Sequence, residues 1–95
     1  MKRKEKRRFH QRSRIDIMAC ILKNSNEGSR KTRLIYRCNL SLAQFKLYRD
    51  CLIEIGLLRV SKMDDGTEIY ETTDKGRDFL KDYRNIKSIL DKMRL

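Results

Sequence analysis

The chain lacks proline and tryptophan, and it has one histidine and four glycines in 95 residues. Without proline, none of its helical stretches is broken by that residue. The single histidine, His10, lies in a run of like charges. No Ser-His-Asp or Cys-His arrangement therefore has a rigid base. Glycine is too sparse for a phosphate-cradling loop. Nothing here points to an enzyme or to a bound cofactor. No apolar run is long enough to span a bilayer, so no membrane partner is expected. The basic start is not followed by an apolar segment and does not read as a secretory signal. A cytoplasmic protein is the expectation.

Cysteine is scarce and badly spaced. Cys20, Cys38 and Cys51 form no Cys-x-x-Cys pair. An odd number at wide, irregular intervals does not read as a disulfide framework, and it suits a reducing compartment. With His10 they supply four ligands in type but none of the paired spacings of a zinc site, so no metal is expected.

Positive charge is plentiful. The formal net charge is +11 and the pI about 10.0, which points to a polyanionic partner. The excess is uneven. Residues 1–14 hold eight Lys/Arg against one Glu, residues 41–55 are neutral, and residues 56–72 carry two cations and four acids. Residues 1–12 form a basic arm, expected to be disordered when free because like charges repel and little offsets the ordering entropy. Lys2, Arg3, Lys4, Lys6, Arg7, Arg8, Arg12 and the adjoining Arg14 are its candidate contacts to nucleic-acid backbone; the plainer alternative is a solubilising tail.

The most informative stretch runs from Asn39 to Leu58. Ser41 and Gln44 form a capping box, and Gly56 stands where a helix-ending glycine is expected. Phe45, Tyr48, Leu52 and Ile55 recur at helical spacing as the buried face. Leu42, Ala43, Lys46, Leu47 and Asp50 lie opposite. Before this helix, Ser13 caps an amphipathic helix over about 14–23, and a turn at Asn24–Gly28 ends it. Ser29 is expected to cap a short second helix through about Arg37, followed by a turn in which Asn39 takes a left-handed conformation. Leu40 then serves as a hydrophobic staple. After Gly56, strands over Leu57–Lys62 and Glu68–Thr72 flank an Asp-Asp-Gly-Thr turn, which makes a hairpin, or wing. Thr73 caps a last helix that runs to about Arg94.

This order predicts a mainly helical α+β fold, a winged helix-turn-helix over residues 13–72, followed by a C-terminal helix over 73–95. In that helix Phe79, Tyr83, Ile86, Leu90 and Met93 are spaced 4, 3, 4, 3, the signature of a coiled-coil seam. A small body does not cover the roughly 30 Å of such a helix, so the seam is expected to meet a second copy in a dimeric coiled coil. The alternative is that it folds back on the first helix as ordinary core.

The chain resembles small archaeal winged helix-turn-helix DNA-binding proteins that dimerise through a C-terminal antiparallel coiled coil, including the chromatin-type proteins of Sulfolobus. The likeness rests on Thr32-Arg33-Leu34-Ile35-Tyr36 with Asn39-Leu40-Ser41, on Gly56-Leu57-Leu58, and on Tyr70-Glu71-Thr72-Thr73-Asp74-Lys75-Gly76-Arg77-Asp78-Phe79-Leu80. It covers about residues 15–90. Arg49 and Thr72 stand where the family pattern has apolar residues. The resemblance implies double-stranded DNA as partner.

In a helix-turn-helix the N-terminal part of the recognition helix meets base edges. That assigns Ser41, Leu42, Ala43, Gln44, Lys46 and Leu47 to DNA. Gln44 suits an adenine edge, unless the capping box uses its side chain. Leu42, Ala43 and Leu47 suit thymine methyl groups, unless the leucines belong to the core or a dimer contact. Arg30, Lys31, Thr32 and Arg33 start the second helix and suit phosphate. Lys62 joins them from the wing, whose Asp64, Asp65 and Glu68 oppose phosphate. Two roles fit: a homodimeric transcription regulator, or a sequence-tolerant chromatin protein. A protein-interaction module is a further alternative. RNA binding finds no aromatic sheet surface to support it.

Overall fold

A computed structural model describes residues 13–93. The basic arm at 1–12, with its seven Lys/Arg, lies outside the described residues, as do residues 94–95. The elements are α1 (Arg14–Asn24), α2 (Lys31–Cys38), α3 (Leu42–Glu54), β1 (Leu58–Lys62), β2 (Glu68–Thr72) and α4 (Asp74–Met93). This is the winged helix-turn-helix with a long C-terminal helix that the sequence predicts.

Local chemistry sets most of the boundaries. Ser13 caps α1 through a full capping box with Asp16, and Ser41 caps α3 through one with Gln44. Helix α2 ends at Asn39, which is left-handed at φ 54°. There the Leu40 N–H donates to the Ile35 carbonyl at 3.0 Å and the Asn39 N–H to that of Tyr36 at 3.2 Å. The same Schellman pattern closes α3, with Gly56 at φ 84° and the Leu57 N–H on the Leu52 carbonyl at 2.9 Å. These two stops make the helix-turn-helix angular and short.

One predicted cap is corrected. Arg30, not Ser29, occupies the N-cap of α2, and it makes no side-chain cap bond. Ser29 is buried and serves tertiary structure instead. Its backbone pairs with Tyr70 in an isolated bridge, and its hydroxyl donates to the Asn24 carbonyl at 2.5 Å. Residue 29 thus adds one rung to the outer edge of β2, whose other edge pairs antiparallel with β1 from Leu58↔Thr72 to Lys62↔Glu68.

The core joins Ile17, Ala19, Ile21 and Leu22 of α1 to Leu34 and Cys38 of α2. Leu40, Phe45, Leu52, Leu57, Leu58, Tyr70 and Leu80 complete it. Phe45 and Leu52 are buried as expected, and Tyr48 partly so, but Ile55 is exposed. Ile55 is the residue at which α3 ends, so the turn carries it off the helical face. Ile15 is likewise exposed, because it sits in the first turn of α1.

The two polar departures from the family pattern are both accommodated. The Thr72 hydroxyl, fully buried, donates to the Leu22 carbonyl at 2.5 Å, and its N–H donates to Ser25 at 3.0 Å. It ties β2 to the end of α1 through two carbonyls, each of which also accepts a local backbone N–H. Arg49 lies along the core edge with its guanidinium 5.9 Å from the Phe45 ring centroid, and its Nε donates to Asp50 at 2.9 Å. Phe45 in turn meets Tyr70 edge-on at 5.5 Å. Asp50 and, after it, the Tyr70 hydroxyl hold the Arg49 guanidinium more firmly charged than usual.

The sequence reading of three unpaired cysteines is also corrected. Cys20 and Cys38 form a disulfide between α1 and α2, with Cα atoms 5.9 Å apart. Cys51 is free and exposed. The pairing follows from helix packing, which sequence spacing does not encode.

Helix α4 is fixed to the body at its start. The Thr73 hydroxyl accepts from the Gly76 N–H at 3.1 Å and donates to the Gly56 carbonyl at 2.6 Å, and Lys75 Nζ donates to the Ile55 carbonyl at 2.9 Å. Further along, the Tyr83 hydroxyl donates to Asp16 on α1, and Lys87 lies 3.8 Å from the same carboxylate. Burial and then the bond to Asp16 push the Tyr83 phenol up to about 12; that bond is also the main cause holding Asp16 below its ordinary value. Because the folded phenol titrates above the unfolded one, its contribution to stability is full below about pH 10 and is lost as pH rises towards 12. Tyr83→Phe is expected to cost about 1.5–3 kcal/mol at neutral pH, as for a hydrogen bond to a charged group. It should also flatten the alkaline fall in stability. Urea melts of both proteins across pH 7–11 check this, and an unchanged alkaline slope counts against the assignment.

Candidate nucleic-acid interface

The outer face of α3 is built as the sequence predicts. Leu42, Ala43, Lys46 and Leu47 are all exposed, with Leu47 at 65%. The capping box places Ser41 at the entry to the helix, but it also commits Gln44. Gln44 Oε1 accepts the Ser41 N–H at 2.9 Å while Ser41 Oγ accepts the Gln44 N–H at 3.0 Å. A bidentate contact to adenine uses both ends of the amide. Gln44 makes one only after releasing the cap.

Arg30, Lys31, Thr32 and Arg33 are exposed around the start of α2. Arg30, Lys31 and Thr32 line a cleft of about 390 Å³ whose far wall is the wing turn, Gly66, Thr67 and Glu68. Cations on one side and a carboxylate on the other give this cleft mixed polarity. Hydrogen bonds engage two of the wing's acids and an ion pair a third, but the wing turn keeps its negative charge. The Thr67 N–H donates to Asp65 at 2.9 Å and is the main cause lowering the Asp65 pKa, with nearby Arg30 a smaller one. Glu71 is answered by Arg59 at 3.2 Å, and Glu68 accepts the Tyr70 hydroxyl at 2.6 Å. Lys62 is exposed at the distal end of β1. Arg14 is exposed at the first turn of α1, while Lys2, Arg3, Lys4, Lys6, Arg7, Arg8 and Arg12 fall outside the described residues.

Tyr36 joins this surface without a motif that marks it in the sequence. It is 83% exposed on α2, between the exposed Arg33 and Arg37. A phenol ring standing in water beside cations suits contact with a sugar-phosphate backbone, donating its hydroxyl to phosphate oxygen. The available signal was its place one position beyond the apolar pair Leu34-Ile35, on the face shared with Thr32.

The seam of α4 divides in two. Phe79 and Tyr83 are partly buried against the core, which matches the alternative in which the helix folds back on α1. Ile86, Leu90 and Met93 are about half exposed, and Ile89 beside them is more so. Leu80, next to Phe79 and outside the 4-3 spacing, is buried.

Among the described residues no helix is long and apolar enough to cross a membrane, and no group of three or more His, Cys, Asp or Glu is placed to hold a metal.

The winged helix-turn-helix family profile matches residues 11–91. The chain belongs to this family. Among solved structures it is similar to Sso10a-2, a DNA-binding protein from Sulfolobus solfataricus. The TM-score is 0.80 and the identity 28%, over 87% of this chain and 86% of the other. It also shares its winged-helix fold with the transcriptional regulator BldR from the same organism, with a TM-score of 0.72 and 23% identity, over 81% of this chain and 58% of BldR. A MarR-family transcriptional regulator from Silicibacter pomeroyi has the fold too, with a TM-score of 0.67 and 20% identity, over 85% of this chain and 56% of that one. The chain thus spans little more than half of these two longer proteins. No curated protein sequence matches it.

Proposed function

We propose that the chain is a homodimeric double-stranded DNA-binding protein without catalytic activity, acting as a transcription regulator. The observation that carries the reading is the outer face of α3, capped and exposed as the second helix of the helix-turn-helix, in a body whose α2 starts with exposed cations. That is the arrangement in which a helix-turn-helix enters the major groove and crosses the backbone. The likeness to Sso10a-2, which is described as DNA-binding, supports it. The exposed distal half of α4, with Ile86, Ile89, Leu90 and Met93, supports pairing with a second copy. Two recognition helices would then meet one face of a duplex at about 34 Å or a multiple of it.

Affinity comes mainly from outside α3, whose stretch 41–55 is electrically neutral. The basic arm and the start of α2 supply it. Removing residues 1–12 is expected to weaken binding and to flatten its salt dependence by about 0.9 in the log–log slope for each phosphate that the arm neutralises. Equal slopes for the full and shortened chains would remove the arm from the interface.

A second reading has its own observation. With Gln44 held in the capping box, few side chains of α3 are free to read hydrogen-bonding edges. This favours a sequence-tolerant, architectural role. Selection from random duplex DNA at two salt concentrations separates the two. An enriched palindrome supports the regulator, salt-sensitive binding without enrichment supports the architectural protein, and no binding sinks both.

A further inference from the structure

The bond between Cys20 and Cys38 is unequally accessible at its two ends. Cys38 is the last residue of α2 and fully buried, directly before left-handed Asn39. Cys20 is only partly buried and lines a groove of about 450 Å³ between α1 and α4. Lys23, Arg37 and Arg84 stand on the walls of that groove, and Asp16 is its one carboxylate. Asp16 is already engaged by Ser13 and Tyr83, with Lys87 at 3.8 Å. An anion entering the groove therefore meets three exposed cations and one acid, whose charge Lys87 partly offsets. The floor, with Ala19 and Leu80, is apolar.

We propose that this groove is a thiol-exchange site for an anionic low-molecular-weight thiol, and that Cys20 carries the sulfur attacked. The incoming thiolate attacks Cys20 Sγ and forms a mixed disulfide there. The bond to Cys38 breaks, its electron pair leaves on Cys38 Sγ, and that sulfur takes a proton from solvent, since a buried thiolate is costly. A second thiolate attacks the sulfur of the first thiol and releases Cys20. Two small thiols are thereby oxidised to their disulfide, and the protein disulfide is reduced to two thiols. The reverse sequence, started by the small disulfide, remakes the bond. The linkage sits one residue before the turn into α3, so its state bears on how firmly α1 holds the helix-turn-helix.

The test uses the full chain carrying Cys51→Ser, which removes the exposed thiol. Oxidised protein is treated at low salt with mercaptoethanesulfonate or with cysteamine, quenched in acid and mapped by mass spectrometry. Each rate is divided by that of the same thiol with a small neutral disulfide. The adduct is expected on Cys20, with the anionic thiol favoured about tenfold, the low end of what a charged cleft does to encounter rates. That preference should fade in high salt. Arg37→Gln with Arg84→Gln should abolish it while leaving the circular dichroism spectrum intact. An adduct on Cys38, an equal corrected rate for the two thiols, or two free thiols in protein never exposed to reductant would each overturn the proposal.

Discussion

Ile86→Asp combined with Leu90→Asp is expected to yield a monomer whose affinity for duplex DNA is lower by about a hundredfold or more, because linked sites gain 10²–10⁴ from effective concentration. Both side chains lie on the distal half of α4, about half exposed and away from the core cluster. Facing a second copy, four aspartates would replace four aliphatic side chains, which adds desolvated like charges to a loss of apolar burial. The helix itself should persist, since its attachment runs through Thr73, Lys75 and Tyr83. Sedimentation of the variant and its parent at micromolar concentration, alongside binding titrations, checks both halves. A parent that is already monomeric discards the seam, and a monomeric variant with undiminished affinity discards the two-helix grip on DNA.

Gly76→Ala is expected to cost on the order of 3 kcal/mol, the upper end for overpacking, although alanine is ordinarily the better helix former. A Cβ at this position would stand 2.3 Å from the Leu57 carbonyl oxygen and 2.6 Å from Thr72 Cγ2. The first obstacle is backbone and the second belongs to a fully buried residue, so neither yields easily. The same carbonyl also accepts the Thr73 N–H at 3.0 Å, so moving it breaks the joint between α3, β1 and α4. For a domain of this size such a loss lowers the melting temperature by roughly 12–24 °C. A melt within a few degrees of the parent would show that α4 can shift along β1 without penalty. The Thr-Asp-Lys-Gly run that carries part of the family likeness is thus a mechanical joint, each residue except Asp74 having a named role in it.

The local parts of this fold were readable from residues. Ser41 with Gln44, the left-handed Asn39 and the glycine at 56 act on their immediate neighbours, and the structure uses them as sequence reasoning expects. Where a residue's partner is distant, the sequence carries no local sign of it. Ser29 resembles a cap, yet its backbone pairs with Tyr70, 41 positions on, and no local pattern announces that. Cys20 meets Cys38 because α1 packs on α2. Phe79 and Tyr83 share a heptad phase with Ile86 and Leu90 but not an environment, since the body ends partway along α4. In the interface, the exposed face of α3 followed from periodicity. The commitment of Gln44 and the exposure of Tyr36 depended on where side chains turn, which composition leaves open.

The edge-on contact of Phe45 with Tyr70, covered by Arg49, has a further consequence. Phe45 belongs to α3 and Tyr70 to the wing, and Ser29 clamps the far side of the same strand. The helix and the hairpin behave as the two jaws of a fixed caliper rather than as independent fingers. On the DNA-binding reading, a duplex gripped by both would have to supply the give itself, through the width of its grooves and the bendability of its steps. Preference among targets would then register how easily a stretch of duplex deforms, even where no side chain touches a base.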